Sequence, residues 1–230
     1  MPPELGTVIV TGGGSGLGAA TVRAVAERGG TPVVLDRQEP AGDVDRELVD
    51  LADPRAAEAA VVRAAGRHGG LDAVVTAAGT DACGELADVD PEAWDRVVLV
   101  NLVGTAAVVR AALPYLERSN GKVVTIGSTL GMRAVGDATA YCASKFGVVG
   151  FTRALATELQ GRVGVTMLIP GGMRTAFFDS REDRYKPPPD MELNPPENVA
   201  SAVAFALAQP RGCEVRELVI TPSVEPSWPP

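Results

Sequence analysis

The chain has 230 residues, which suits one sizeable domain rather than two, and 46% of them are apolar, enough to fill a core. A formal net charge of −8 disfavours nucleic acid or an anionic membrane as the main partner, and 4% aromatics leave no base-stacking platform. Three cysteines, Cys83, Cys142 and Cys213, are far apart and odd in number; with no secretory-type beginning, they point to a reduced, cytoplasmic compartment.

The first strand is predicted at 7–10, on the run Val8-Ile9-Val10, and the glycine-rich stretch Thr11 to Gly18 leads from it into a helix at 17–28. A second strand, 32–36, ends in Asp36, and a third is expected at 47–50. The intervening residues, with Pro40 and Gly42, are too few for more than a stub of helix. Asp53-Pro54 opens a helix at 54–68, whose end carries the single histidine, His68, read as a solvated helix-end group. A strand at 73–76 and a long helix at 91–115, begun by Asp90-Pro91, follow. The apolar window 97–113 in that helix is broken by Asn101, Gly104 and Arg110, so no membrane span is expected. Then come a strand at 122–127, a helix at 138–159, a strand at 163–169, a helix at 196–208 and a strand at 216–221. Continuous apolar strands alternating with helices predict an α/β fold over 1–230, a single doubly wound Rossmann-type parallel sheet of about seven strands with helices on both faces. The polar stretch at about 172–196, with Lys186-Pro187-Pro188-Pro189, is too long for a passive loop and is expected to be a substrate lid. A Pro-rich tail covers about 222–230. No His/Cys cluster has metal spacing, so no metal is expected.

Glycines at a strand-to-helix turn let a pyrophosphate approach bare helix N-terminal amides. Asp36, 18 residues past Gly18, can accept hydrogen bonds from ribose hydroxyls and would repel a 2′-phosphate, favouring NAD over NADP. Arg37 is the opposing feature, because a guanidinium there could grip that phosphate. Tyr141 and Lys145, four apart, share one helix face, and Ser128 precedes them at a strand end.

With these residues in place the chain resembles the short-chain dehydrogenase/reductase family over almost its whole length. The Thr-Gly-x-x-x-Gly-x-Gly motif matches Thr11 to Gly18, the Ser and Tyr-x-x-x-Lys set matches Ser128, Tyr141 and Lys145, the helix Asn matches Asn101, and the Pro-Gly after the sixth strand matches Pro170-Gly171. The resemblance implies an NAD(P)(H)-dependent oxidoreductase interconverting a secondary alcohol and a ketone by hydride transfer. In it Tyr141 is general acid/base, Lys145 bonds the nicotinamide ribose and favours phenolate, Ser128 orients the substrate oxygen, and Asn101 holds a water linked to Lys145. It implies a cofactor site formed by Gly12, Ser15, Gly16, Leu17, Gly18, Asp36, Arg37, Asp50, Leu51, Ala78, Gly79, Tyr141, Lys145, Pro170, Gly171, Met173 and Thr175, with Asp50 near the adenine and Met173 and Thr175 near the carboxamide. Arg133, Phe177 and Phe178 are candidates to join Ser128 at the substrate, although the two rings could equally pin the lid to the body.

There are departures from the family pattern. Thr76-Ala77-Ala78-Gly79 replaces the usual Asn-Asn-Ala-Gly, leaving Thr76 to make only part of a bracing bond network, and the common Asp-Gly-Gly close is absent. Apolar residues around the 143–159 helix, including Phe146, Val149 and Phe151, leave surface for a second copy, with a homotetramer expected first and a homodimer second. The alternative reading is a catalytically silent nucleotide-sensing protein of the same fold.

Overall fold

The computed structural model describes residues 4–230. Seven strands form one parallel sheet: β1 (Thr7–Thr11), β2 (Thr31–Asp36), β3 (Asp45–Leu48), β4 (Ala73–Thr76), β5 (Lys122–Ile126), β6 (Gly164–Pro170) and β7 (Glu217–Ile220), in the order β3-β2-β1-β4-β5-β6-β7. The predicted sheet is the observed one. Helices α1 (Gly16–Glu27) and α6 (Pro196–Leu207) cover one face; α2 (Pro54–His68), α4 (Thr105–Ser119) and α5 (Thr139–Glu158) cover the other.

Side chains alternate across a strand, and both sheet faces are covered, so the central strands need apolar residues on both sides. Val8 and Val10 therefore enter the α1/α6 core while Ile9 enters the α2/α4/α5 core. The alanines of α2 (Ala57, Ala60, Ala64) let it lie close against the sheet and α4. Lys122, at the start of β5, aims its ammonium at the last carbonyls of α6, bonding Leu207 O at 2.9 Å and Gln209 O. A cation at a helix C-terminus satisfies the orphan carbonyls and the negative end of the dipole together.

The third strand starts two residues earlier than predicted, and residues 37–44 cross to it without any helix. The apolar residues that suggested 47–50 mislead here, because β3 is an edge strand held by charge. Asp45 and Glu47 reach across to Arg63, Arg67 and His68 on α2, with Arg63 Nε–Glu47 Oε2 at 2.7 Å and His68 Nε2–Asp45 Oδ2 at 2.6 Å. His68 is thus partly buried in an ion network, not a free helix-end group.

The long helix runs from Pro91 to Ser119 as α3 (Pro91–Val98), a π-helical turn (Leu99–Gly104) and α4. Its best 18-residue window has mean hydropathy 1.8, so by length and composition it could cross a membrane, contrary to the expectation from its polar interruptions. Half of that window is buried inside the fold, against the sheet and neighbouring helices. Gly104 in the π turn allows the helix to approach Leu51 O, which a Cβ would meet at 2.7 Å. On α5 the extra apolar face reduces to Phe146, because Val148, Val149 and Leu155 are buried in the cores.

Burial alone would raise the carboxyls of Asp45 and Glu47, but the bonds to His68 and Arg67, and to Arg67 and Arg63, outweigh it and hold both below their ordinary 3.8 and 4.5. A depressed carboxyl contributes stability above its unfolded value and loses it as pH falls through the folded one. We expect Glu47→Gln to destabilise the fold at pH 7 by about 1 kcal/mol or less, given the exposed arginines. Denaturant titration should show that gap close as acid protonates the wild-type carboxylate.

Candidate active site

The turn between β1 and α1 must be glycine-built. Gly12 sits at φ +69°, and a Cβ on it would meet Ala78 Cα at 2.7 Å; a Cβ on Gly18 would strike the carbonyl of Gly12. Gly12 N–H donates to Leu35 O at 2.9 Å, and Thr11 Oγ1 accepts from Ala78 N at 3.0 Å, so β1, β2 and the segment after β4 meet here. The N-cap, Ser15, is exposed and makes no side-chain cap bond, and no acid occupies the first turn of α1. The amides around Gly16, Leu17 and Gly18 are therefore without an internal anion, the condition under which a helix start receives a phosphate. Asp36, at the end of β2, accepts from Gly14 N at 2.8 Å and Gln38 N at 3.0 Å, fixing its carboxylate beside this turn. Arg37 is exposed next to it. Thr175 reaches the same place from beyond β6, its methyl 3.3 Å from where a Gly16 Cβ would stand. A bare cradle with an acid at its rim fits a dinucleotide.

Ser128, Tyr141, Lys145 and Asn101 gather beyond the ends of β4 and β5. Ser128 caps the short turn Thr129–Gly131, its Oγ accepting from Leu130 N at 3.1 Å. Tyr141 and Lys145 occupy the first turns of α5, with Lys145 Nζ 5.7 Å from the tyrosine ring centre and donating to Ile126 O at 2.9 Å. The π turn places Asn101 so that its amide clasps the β4 loop: Nδ2 donates to Thr80 O (2.9 Å) and Ser144 Oγ (3.0 Å), and Oδ1 accepts from Thr80 N (2.8 Å). Gly79 lies beside both, a Cβ there standing 3.6 Å from Asn101 Oδ1 and 4.0 Å from Lys145 Nζ.

Burial pushes the Tyr141 phenol up to about 12; the Asp81 charge adds to the rise, while Ser128 and Arg181 oppose it. Burial brings the Lys145 ammonium down to about 8. At neutral pH the pair is therefore phenol and ammonium.

Other expectations resolve differently. Thr76 Oγ1 is buried with no hydrogen-bond partner among the described residues, so it supplies none of the bracing expected of it; Thr11 and Asn101 do that work. Asp50 is held by Arg96 at 2.8 Å and by Ala52 N at 3.0 Å, beside buried Leu51. Arg133 donates to Pro226 O in the C-terminal tail rather than to the tyrosine corner. Pro170 ends β6, Gly171 N donates to Ile220 O at 3.0 Å, and Met173 packs on the α1/α6 core.

The connection from β6 to α6 folds over Tyr141. Phe177 meets the tyrosine ring edge-on at 5.7 Å, and Phe178 meets Phe177 at 5.5 Å. Arg181 lies across both phenyl rings and pairs with Asp81, whose side chain is only 5% exposed. Asp81 also accepts from Cys83 Sγ at 3.1 Å, and burial with that neighbouring carboxylate pushes the thiol up to about 12. Neither Asp81 nor Arg181 stands out in the sequence, because they are 100 positions apart and Arg181 is one of several mixed charges in its segment. A cavity of about 750 Å³ lies under the same connection, lined by Thr175, Phe178, Lys186, Pro188, Met191 and Leu193 among others.

Losing one partner of a buried ion pair strands the other charge. We expect Asp81→Asn to speed amide exchange at 176–186 about tenfold. It should also lower the phenol pKa of Tyr141 in ultraviolet titration, because one raising charge is gone.

A family model for short chain dehydrogenases matches residues 6–186. An uncharacterized oxidoreductase of Staphylococcus aureus (strain MW2) is 32% identical over 226 residues, covering 93% of this chain and 96% of that protein. A cis-4-hydroxycyclohexanecarboxylate dehydrogenase of Sinomonas cyclohexanicum is 34% identical over 216 residues, covering 86% and 87%. Among solved structures, an actinorhodin polyketide ketoreductase variant with NADPH superimposes with a TM-score of 0.83 at 29% identity, over 96% of this chain and 98% of that one.

Proposed function

The chain belongs to the short-chain dehydrogenase family, and from that premise we propose that it is a nicotinamide-dependent oxidoreductase interconverting a secondary alcohol and a ketone, with Tyr141 moving the proton. One observation carries the reading: Ser128, Tyr141 and Lys145 stand beyond the end of β5, on the same edge of the sheet as the empty-handed amides of α1. The resemblance of the relatives supports it, since the Sinomonas enzyme is named for a ring alcohol and the ketoreductase was solved with NADPH.

Gly12 to Gly18 would hold the pyrophosphate, Asp36 the adenosine ribose, Lys145 the nicotinamide ribose, and Met173 and Thr175 the carboxamide. The bound dinucleotide supplies or accepts the hydride. Ser128 holds the substrate oxygen, and Tyr141 gives that oxygen its proton in reduction or takes it in oxidation. With the phenol near 12 in the free protein, proton donation needs no preparation, whereas abstraction needs a further positive charge close to the ring. Phe177 and Phe178 line the substrate side, and the segment at about 172–196 acts as the lid. The two Asp36 oxygens, each fixed by a backbone amide, favour NAD by repelling a 2′-phosphate, although relatives solved with NADP or NADPH stand on the other side. Exposed Phe146 on α5 and Leu99 on the long helix offer apolar surface to a second copy, first as a tetramer.

The test is direct. Calorimetric titration should give tighter binding of NADH than NADPH, and Tyr141→Phe should keep that binding while losing about 10²–10⁴-fold in turnover of a screened secondary alcohol or ketone. Unchanged turnover in the variant would sink the assignment of Tyr141. The pH profile carries a second expectation. Ketone reduction should hold through neutral pH and decline above about 8, as Lys145 loses its proton while Tyr141 keeps its own.

A further inference from the structure

The tail that replaces the family's usual close returns to the active site. Glu225 Oε2 accepts the Gly172 amide at 2.9 Å, directly beyond Pro170-Gly171. Its other oxygen accepts from Ser227 N at 3.1 Å and Ser227 Oγ at 2.6 Å. The same serine hydroxyl lies 2.7 Å from Thr129 Oγ1, and Thr129 follows Ser128. Arg133, at the far end of that loop, donates to Pro226 O at 3.1 Å. The turn at 225–227 thus bonds to two loops that the sheet anchors only at their strand ends, one carrying Ser128 and one leading to Met173 and Thr175. The approach is close: a Cβ on Gly171 would run into the Glu225 carboxylate.

We propose that Glu225 and Ser227 are positioning residues that strap the serine loop to the nicotinamide-side loop and fix the gap between them. The inference deepens the oxidoreductase reading and rests on it for the identity of the ligand that fills the gap. Its physical basis does not depend on the ligand. A carboxylate accepts several hydrogen bonds at once, and each charge-assisted bond is stronger than a neutral one. The nicotinamide-side loop bonds the Glu225 carboxylate directly and the serine loop reaches it through Ser227, so the two loops cannot drift apart without breaking one of these bonds. Placement to within a fraction of an ångström is what an oriented substrate oxygen requires.

The strap can be read amide by amide. Gly172 N–H bonds the Glu225 side chain, whereas Gly171 N–H bonds the backbone of β7 and serves as the internal control. Hydrogen exchange by NMR on the full chain, comparing wild type with Glu225→Ala, Glu225→Gln and Ser227→Ala, should show Gly172 exchanging about tenfold faster in Glu225→Ala. Leu130 should quicken in Ser227→Ala, while Gly171 and the central strands stay unchanged. Glu225→Gln, whose amide oxygen can still accept, should recover part of the Gly172 protection. NADH affinity by calorimetry should weaken several-fold in Glu225→Ala and recover in the same order. Unchanged exchange at Gly172 and Leu130 would overturn the proposal, as would wild-type NADH affinity in every variant, or a uniform loss of protection across the sheet. Failure of wild type to bind either NADH or NADPH would refute the cofactor reading instead, and the exchange of Gly172 and Leu130 would then decide the strap alone.

Discussion

The site depends on the register of four central strands. Thr11 pairs with Thr76, Thr76 with Thr125, and Thr125 with Met167, so β1, β4 and β5 end within a residue of one another while β6 runs on to Pro170. Parallel pairing sends every chain out over the same edge, where Gly12, Ala77 and Gly127 emerge close together and β6 projects further before Gly171. A slip of one residue would turn each strand's core residues to the opposite face, and both faces are already filled, so the register is over-determined by packing. The convergence of Ser128, the glycine turn and the Pro170-Gly171 segment is thus a consequence of burying valines rather than of any attraction among the site residues.

Within that frame, burial works against the chemistry. It raises the phenol of Tyr141 and lowers the ammonium of Lys145, each shift disfavouring the charged form. At Tyr141, Ser128 and Arg181 oppose the rise. Lys145 spends a donor on Ile126 O, tying α5 to β5. Asp81 and Arg181, paired with each other, act on the phenol with opposite signs.

How much of this was legible follows from which interactions are local. Seven strands could be read because buried parallel strands are short apolar runs, and the glycine turn and Tyr-x-x-x-Lys spacing are contiguous signals. β3 was misplaced because an edge strand need not be apolar, and what fixes it are charges on Asp45 and Glu47 answered from α2. The π turn at Asn101 was invisible because one extra residue in a helical turn barely disturbs a hydrophobic pattern. Asp81 with Arg181, and Glu225 with Gly172, join positions far apart in the chain, and no single sequence carries a mark of such pairs. Thr76 was misjudged in the other direction: its hydroxyl had a bonding capacity that the fold leaves unused.

The C-terminal tail changes the meaning of a local motif. Gly171 is read from the sequence as a residue of the cofactor site, and Gly172 follows it. Yet a Cβ on Gly171 would meet Glu225, and one on Gly172 would meet Leu193 at 2.7 Å, both groups of this chain. The glycine pair is therefore approached closely from the protein side as well, by side chains of the tail and of the 171–195 segment, whatever binds in front. A loop squeezed between its own chain and a ligand has few alternative positions. That restriction does for the 171–175 segment what the sheet does for the strands before it.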